Sequence, residues 1–369
     1  MSSQRTYKKL GEIATIHDSL RKPVTKSDRK SGIYPYYGAT GVQDYVDQYI
    51  FDGRYVLVGE DGAKWGANDK SAYIIEGKSW VNNHAHVLSF NDDICDSYVT
   101  YFLNYSDLDK YISGAIVRKL TQKSLLEISL PVPSLSEQKS IVRELDTISD
   151  IIAAKNTQLR ELDALAQALF YDTFGDPITN PKGWPVKKLG EIAETTSGGT
   201  PSKAHKEYYE GGTIPWLRSG EVSQGLIYET ELFITQVGMD NSSAKIVPVD
   251  SVAIAMYGAT VGEVGIIKKP MCTNQAVCNI FPNEKYTPTY LRYFLMAMKP
   301  KYIAAAAGGA QPNISQAIIR STMLPLPPLS LQQSFAAKIQ AIEAQKQTLR
   351  QSIAEFESLL AQRMDYHFN

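Results

Sequence analysis

The sequence predicts an α+β protein: two strand-rich globular units in a pseudo-twofold arrangement, separated by two long antiparallel coiled-coil helices. Three observations predict it. The chain repeats its own landmarks, each repeat is followed by an apolar stripe at heptad spacing, and the intervening stretches are short β-branched and aromatic runs broken by turns.

The repeat comes first. "LPVPSLSEQ" (Leu130 to Gln138) returns as "LPLPPLSLQ" (Leu324 to Gln332), 194 residues on, and "KLTQ" (Lys119 to Gln122) answers "NISQ" (Asn313 to Gln316) at the same offset. "KKLGEIA" at Lys8 to Ala14 recurs at Lys187 to Ala193, an offset of 179, and "YVTYFL" (Tyr98 to Leu103) matches "YLRYFL" (Tyr290 to Leu295). The drift places the extra residues in the second globular unit and leaves the connectors matched in length. The expected boundaries are 1–133 for the first unit, 134–178 for the first helix and linker, 179–327 for the second unit and 328–369 for the second helix.

The connectors read as helices. Ile141, Leu145, Ile148, Ile152, Lys155, Leu159, Leu162, Ala166 and Leu169 alternate steps of four and three, as do Phe335, Ile339, Ile342, Lys346, Leu349, Ile353, Phe356, Leu360 and Arg363. A strand needs period two and cannot produce this seam. Ser134 with Glu137, and Ser330 with Gln333, stand at capping-box spacing after Pro-containing turns. A helix of about 35 residues is a rod of roughly 50 Å that needs a partner for its stripe, and the nearest candidate is the other helix, running antiparallel. Lys155 and Lys346 interrupt the seams; they either snorkel to solvent or fix register.

The globular units read as mixed folds. "RYVLVG", "SAYIIEG", "HAHVLSF", "SVAIAMYG" and "VGIIKK" are strand-like, and helical patches fall at Asp96 to Leu103, Leu120 to Leu126 and Pro288 to Met298.

Composition narrows the function. At 43% hydrophobic and 21% charged residues the chain can bury real cores, and no apolar run reaches transmembrane length. The N-terminus lacks a secretory segment, and Cys95, Cys272 and Cys278 fit neither a disulfide framework nor a zinc site, so a cytoplasmic protein is expected. The net charge of −1 excludes a globally basic nucleic-acid binder, so any contact must come from local patches or be shared with a partner. Phosphate-loop, zinc-protease, nucleophile-elbow and adenine-methylation signatures are missing, and no catalytic residue is assigned. His84 and His86 could face one metal from a strand. Aligning Asn83-His84-Ala85 with Asn274-Gln275-Ala276 gives Gln at the first position, so no metal is expected.

The sequence offers instead amide, hydroxyl, aromatic and basic side chains on Gly-rich turns. "YPYYGATG" supplies Tyr36, Tyr37 and Thr40, and "MYGATVG" supplies Tyr257 and Thr260, while Lys64 follows "VGEDGA". "WVNNHAH" supplies Asn82, Asn83 and His84, and "CTNQAV" supplies Asn274 and Gln275. Each unit ends on a polar run, with Arg118, Lys119, Thr121 and Gln122 in the first and Gln311, Asn313, Ser315 and Gln316 in the second. The second unit adds Thr200, Ser202 and Lys203 in "SGGTPSK" and Arg218 and Ser219 after "IPWL", in a segment expected to have no counterpart in the first. Asn and Gln pair bidentately with adenine, Arg and Lys with guanine, and Gly- and hydroxyl-rich turns admit phosphates. The same clusters also serve as ordinary turn chemistry.

Two units opening on "KLGEIA" and closing on "LPxPxLxxQ" plus a heptad helix resemble the specificity subunit of type I restriction-modification systems. "SGGTPSK…GGTIPWLRSGEV", "AMYGATVGEVGI" and "YLRYFL" are similar to one class of its target-recognition domains, and "YPYYGATG…VGEDGA…WVNNHAHVL" to another. The resemblance covers essentially the whole chain. It implies two target-recognition domains, each reading one half of a bipartite site in double-stranded DNA. It implies that the helices space them and dock two methyltransferase subunits, and that two restriction subunits join this core. S-adenosylmethionine, ATP and Mg would then reside on the partners, with no cofactor in this chain and no membrane contact. A stand-alone sequence-specific DNA-binding protein, or a hub whose units bind proteins, are the alternative readings.

Overall fold

The computed structural model describes residues 6–114, 118–306 and 313–369. It divides into two compact units, Met1–Asn156 with Arg350–Asn369, and Thr157–Leu349. Each unit therefore owns a part of both long helices, Leu135–Phe174 and Leu329–Phe368, which are 40 residues each.

In the first unit the repeated landmarks meet each other. Tyr7–Lys9, from "KKLGEIA", pairs antiparallel with Ser129–Pro131, from "LPVP", with Lys8 opposite Leu130. The helical turn Leu10–Ile13 follows and buries Leu10 and Ile13 completely or nearly so. A six-stranded sheet runs in the order Ala14–Ile16, Ala85–Phe90, Phe51–Gly59, Ala72–Val81, Ser31–Gly38, Gly41–Val46. All its pairings are antiparallel except Ser31–Gly38 against Ala72–Val81. The helix Asp96–Tyr105 buries Tyr98, Val99 and Leu103 in one core with Val56, Val58 and Leu88, and the Tyr98 hydroxyl donates to the Pro131 carbonyl at 2.9 Å.

The second unit repeats the device. Val186–Lys188 pairs antiparallel with Met323–Pro325, and the helical turn Leu189–Ile192 follows. A five-stranded sheet has the order Thr195–Ser197, Val277–Ile280, Val252–Ala255, Val264–Ile267, Leu226–Ile227, and a smaller one the order Phe233–Ile234, Ile214–Leu217, Cys272–Thr273. Here Tyr290, on the helix Pro288–Ala306, donates to the Pro325 carbonyl at 2.8 Å.

The last residue of the repeated "LPxPxLxxQ" has a structural task. Gln138 is fully buried; its Oε1 accepts the Cys95 N–H at 2.8 Å, and its Nε2 donates to the Pro133 and Asp93 carbonyls. Gln332 does the same for the Thr287 N–H and the Pro327 and Lys285 carbonyls. An amide is the side chain that can accept and donate at once, which is what a buried turn with one free N–H and two free carbonyls requires.

The helices pair antiparallel within each unit. In the first, Glu144 bonds Arg363 and His367, and Lys155 stands 5.6 Å over the Phe356 ring. In the second, Phe170 and Phe174 pack on Phe335. Of the seam residues, Ile141, Leu145, Ile148, Phe335, Ile339, Ile342 and Ile353 are buried, and Ile152, Leu159, Leu162, Leu349 and Phe356 are half-buried. Two expectations are corrected. Leu329 already opens the second helix, so Ser330 lies inside its first turn; Ser134 alone acts as expected, accepting the Glu137 N–H at 3.3 Å. Lys346 does not snorkel: it is buried and ion-paired.

Candidate nucleic-acid interface

Strand register shows which residues of the two units correspond, and it moves several sequence alignments. Val58 stands opposite His86 and Gly59 opposite Ala85; in the second unit Ile254 stands opposite Cys278 and Ala255 opposite Val277. The parallel pairs are Tyr36 with Trp80 and Tyr37 with Val81, matching Trp216 with Cys272 and Leu217 with Thr273. Three corrections follow. The counterpart of "YPYY" is "IPWL", so the first unit does have this segment, and Tyr36 is buried because it occupies the place of Trp216. The counterpart of "MYGATVG" is "EDGAKWG", with Gly62 and Gly258 both at positive φ, +70° and +72°. Asn82 corresponds to Asn274 and Asn83 to Gln275; His84 and His86 correspond to Ala276 and Cys278, one residue away from the sequence alignment.

On this register each unit builds the same three-way junction. In the first, the Glu60 N–H donates to the His84 carbonyl, the Leu120 N–H donates to the Glu60 carbonyl, and Asp61 forms a bridge with Lys119. In the second, the Met256 N–H donates to the Ala276 carbonyl, the Ile314 N–H donates to the Met256 carbonyl, and Tyr257 bridges Asn313. The frame is carried by backbone hydrogen bonds, so it tolerates any side chain that the exposed positions present.

The sequence candidates divide around this frame. Asn83, His84, Lys64, Thr40, Arg118 and Gln122 are exposed in the first unit, as are Ser202, Lys203, Tyr257, Gln275 and Asn313 in the second. Lys119 and Thr260 are half-buried, and Thr260 bonds the Tyr257 carbonyl at 3.3 Å. Thr200 donates to the Gln275 side-chain oxygen, which joins "SGGTPSK" to the junction. Arg218 pairs with Glu231 and Glu221, Ser219 beside it is half-buried, and Arg118 pairs with Asp109 at 2.6 Å. Asn274 is half-buried, with its Oδ1 enclosed and without a hydrogen-bond partner.

Others are committed to the fold. Tyr36 bonds the Val24 backbone beneath Arg29, whose guanidinium lies 4.2 Å over its ring. Tyr37 is half-buried, and its phenol is pushed up by burial and by Tyr45. Asn82 is buried, donating to Gln43 and accepting the His84 N–H. Thr121 and Ser315 are helix caps, accepting the Ser124 and Ile318 N–H groups, so the hydroxyl of each "TQ/SQ" pair is spent on a helix start. Gln316 bonds Thr195 and Ser197. Gln311 lies outside the described residues.

Sequence reading missed what lies beneath the first junction. His86 Nδ1 is 2.5 Å from Asp18 and its Nε2 is 2.7 Å from the Leu120 carbonyl. Arg21 bridges Asp18 at 3.0 Å and Glu60 at 2.5 Å, and Lys119 Nζ reaches Glu60 Oε1 at 2.6 Å. Burial alone would push the Glu60 carboxyl up, but hydrogen bonds from Lys119 and Arg21, with the charges of His86 and Arg21, hold it below the usual carboxylate range. Asp18, Glu60 and His86 sit at metal-ligand distances from one another, yet Arg21 and Lys119 already meet the carboxylates. His84 is exposed and pairs with Asp61 instead of joining Asp18 and Glu60.

Two copies of one α+β unit, each presenting different polar side chains on a common backbone frame, define a tandem recognition protein. A family model for the type I restriction modification DNA specificity domain matches residues 3–164 and again 181–358, and the chain belongs to that family. It is 37% identical over 147 residues to the putative type I restriction enzyme specificity subunit S.HindORF215P of Haemophilus influenzae, covering 40% of this chain and 38% of that one. It is 28% identical over 271 residues to the Escherichia coli type I restriction enzyme EcoR124I/EcoR124II specificity subunit, covering 70% and 65% respectively. These matches thus span less than two thirds of either relative. The fold is similar along its full length to the crystal structure of the type I restriction-modification system S subunit from M. genitalium, with a TM-score of 0.61 at 12% identity, covering 100% of this chain and 97% of that one.

Proposed function

We propose that this chain is the DNA specificity subunit of a type I restriction-modification complex, with each globular unit reading one half of a bipartite, asymmetric site. The observation that carries this is the duplicated junction: one backbone frame, built twice, presenting Asp61, Asn83 and Lys119 in one unit and Tyr257, Gln275 and Asn313 in the other. Identical readers would carry identical side chains; two readers of different sequences need the same scaffold and different edges. In this reading the helix pair sets the half-site spacing and docks two methyltransferase subunits. Two restriction subunits join that core, and the complex works in the prokaryotic cytoplasm. The chain itself is non-catalytic: S-adenosylmethionine, ATP and Mg belong to the partners, which also supply much of the phosphate neutralisation that a chain of net charge −1 cannot.

The test is selection from a random duplex library by the chain assembled with its methyltransferase subunits. The expected result is two short fixed blocks flanking an unspecified gap of constant length. A single contiguous block, or no enrichment, would contradict the reading.

A further inference from the structure

The two junctions differ in a concerted way. In the first, the bridge position is the half-buried Lys119 and the backbone position beneath it is the buried acid Glu60, itself held by Arg21 and, through Asp18, by His86. In the second, the bridge position is Asn313 and its support is Met256, with Cys278 in the place of His86; both are buried and apolar. A cation at the bridge stands on a buried carboxylate, and a neutral amide stands on an apolar floor. Burying Glu60 is costly unless it is paired; Arg21 meets its Oε2 and Lys119 its Oε1, so the carboxylate holds the Lys119 ammonium in place.

Building on the specificity reading above, we propose that positions 119 and 313 are the paired specificity-determining residues of the two units. Lys119, aimed by Glu60 as a positioning residue, reads a guanine edge in one half-site. Asn313 reads an adenine edge in the other. Asn313 is exposed and, among the described residues, its side-chain amide has no intramolecular hydrogen bond, leaving donor and acceptor both available for the bidentate contact that adenine offers. Lys119 keeps part of its surface open beside His84 and Asp61, and an ammonium donates to the two acceptors of guanine while leaving adenine's amino group unsatisfied.

The experiment is genome-wide mapping of N6-methyladenine in cells expressing the full chain with its methyltransferase subunits, as wild type, Lys119→Asn, Lys119→Arg, Asn313→Ala and Glu60→Gln. Lys119→Asn should relax or change one base pair of one half-site, with discrimination falling roughly 5- to 150-fold. Lys119→Arg should retain the guanine. Asn313→Ala should relax one A·T pair of the other half-site, and Glu60→Gln should weaken the same position as Lys119→Asn. The gap and the opposite half-site should be unchanged in every case. Co-purification with the methyltransferase subunits checks folding, and Glu60→Gln serves if Lys119→Asn does not assemble. Assembled Lys119→Asn, Glu60→Gln or Asn313→Ala variants that keep the wild-type motif, or that lose methylation everywhere, would overturn the assignment. A wild-type chain giving no bipartite motif would instead remove the specificity reading beneath it.

Discussion

Lys346 Nζ lies 2.7 Å from Asp163 Oδ1 and 3.0 Å from Glu343 Oε1, in a largely apolar helix seam. The lysine is buried, Glu343 is largely enclosed and Asp163 remains exposed. A buried cation with one partner on the other helix penalises sliding of one helix on the other, because a shifted register would separate it from Asp163 and leave only Glu343, on its own helix. Removing Asp163 leaves Glu343 in place, so Asp163→Asn should cost no more than about 1 kcal/mol. Lys346→Ala, which leaves Glu343 unpaired against the seam, should cost about 3 kcal/mol. Denaturant titration of the full chain and both variants checks the ranking; equal losses would contradict it, and no loss on Asp163→Asn would contradict the inter-helix role.

Gln138 and Gln332 predict a second effect. Either Gln→Ala change strands one buried N–H and two carbonyls and should destabilise its own unit by about 1–3 kcal/mol. Gln332→Glu should be worse than Gln332→Ala, since a carboxylate cannot donate to the Lys285 and Pro327 carbonyls. Hydrogen exchange at the Cys95 and Thr287 amides is the local readout.

The end of the chain is part of the first core. Phe368 is buried against Tyr98, Phe102 and Tyr105, just as Phe174 packs against Tyr290 in the second unit. Phe368→Ala should cost about 3–5 kcal/mol, read as a lowered thermal midpoint of the full chain.

The Glu60 cluster predicts a pH dependence. Because the folded carboxyl titrates below its ordinary value, the stabilisation it contributes is complete above the unfolded value of 4.5 and is lost as pH falls through the lower folded value. The stability difference between wild type and Glu60→Gln should therefore be constant from neutral pH down to about pH 5 and shrink below it. A difference that grows on acidification would contradict the pairing.

Thiol chemistry gives a fifth, simple check. Burial pushes the Cys272 thiol up to about 11 and the Cys278 thiol up to about 12, whereas Cys95 is only half-buried. Iodoacetamide at pH 8 should label Cys95 first in the native protein and the other two only on unfolding.

The fold was legible in the sequence where periodicity or repetition carried it. The heptad steps from Ile141 to Leu169 and from Phe335 to Arg363 fall inside the two 40-residue helices, and the strand-like runs lie on strands, because burial against one face imprints a period on the chain. The site was legible only as a set of loops. Tyr36 and Asn82 carry side chains that could read bases, but parallel pairing of their strands places both in the interior, and parallel pairing leaves no local signature. Thr121 and Ser315 looked like readers because a cap and a DNA contact use the same hydroxyl; the helix each one starts is only five or six residues long, too short to show a period. The cluster of Asp18, Arg21, Glu60, His86 and Lys119 gave no signal, since its members are spread over 102 positions and only the sheet brings them together. A one-residue slip between His84 and Gln275 was invisible until strand register fixed it.

As the proposed specificity subunit, this chain would set sequence choice for a methyltransferase that acts in trans. The measurement that tests it most directly is single-molecule methylome sequencing of cells carrying this chain and its methyltransferase subunits, against cells lacking this chain alone. One bipartite N6-methyladenine motif, with two different half-sites, should disappear with the chain. An unchanged methylome, with the methyltransferase expressed and active, would contradict it.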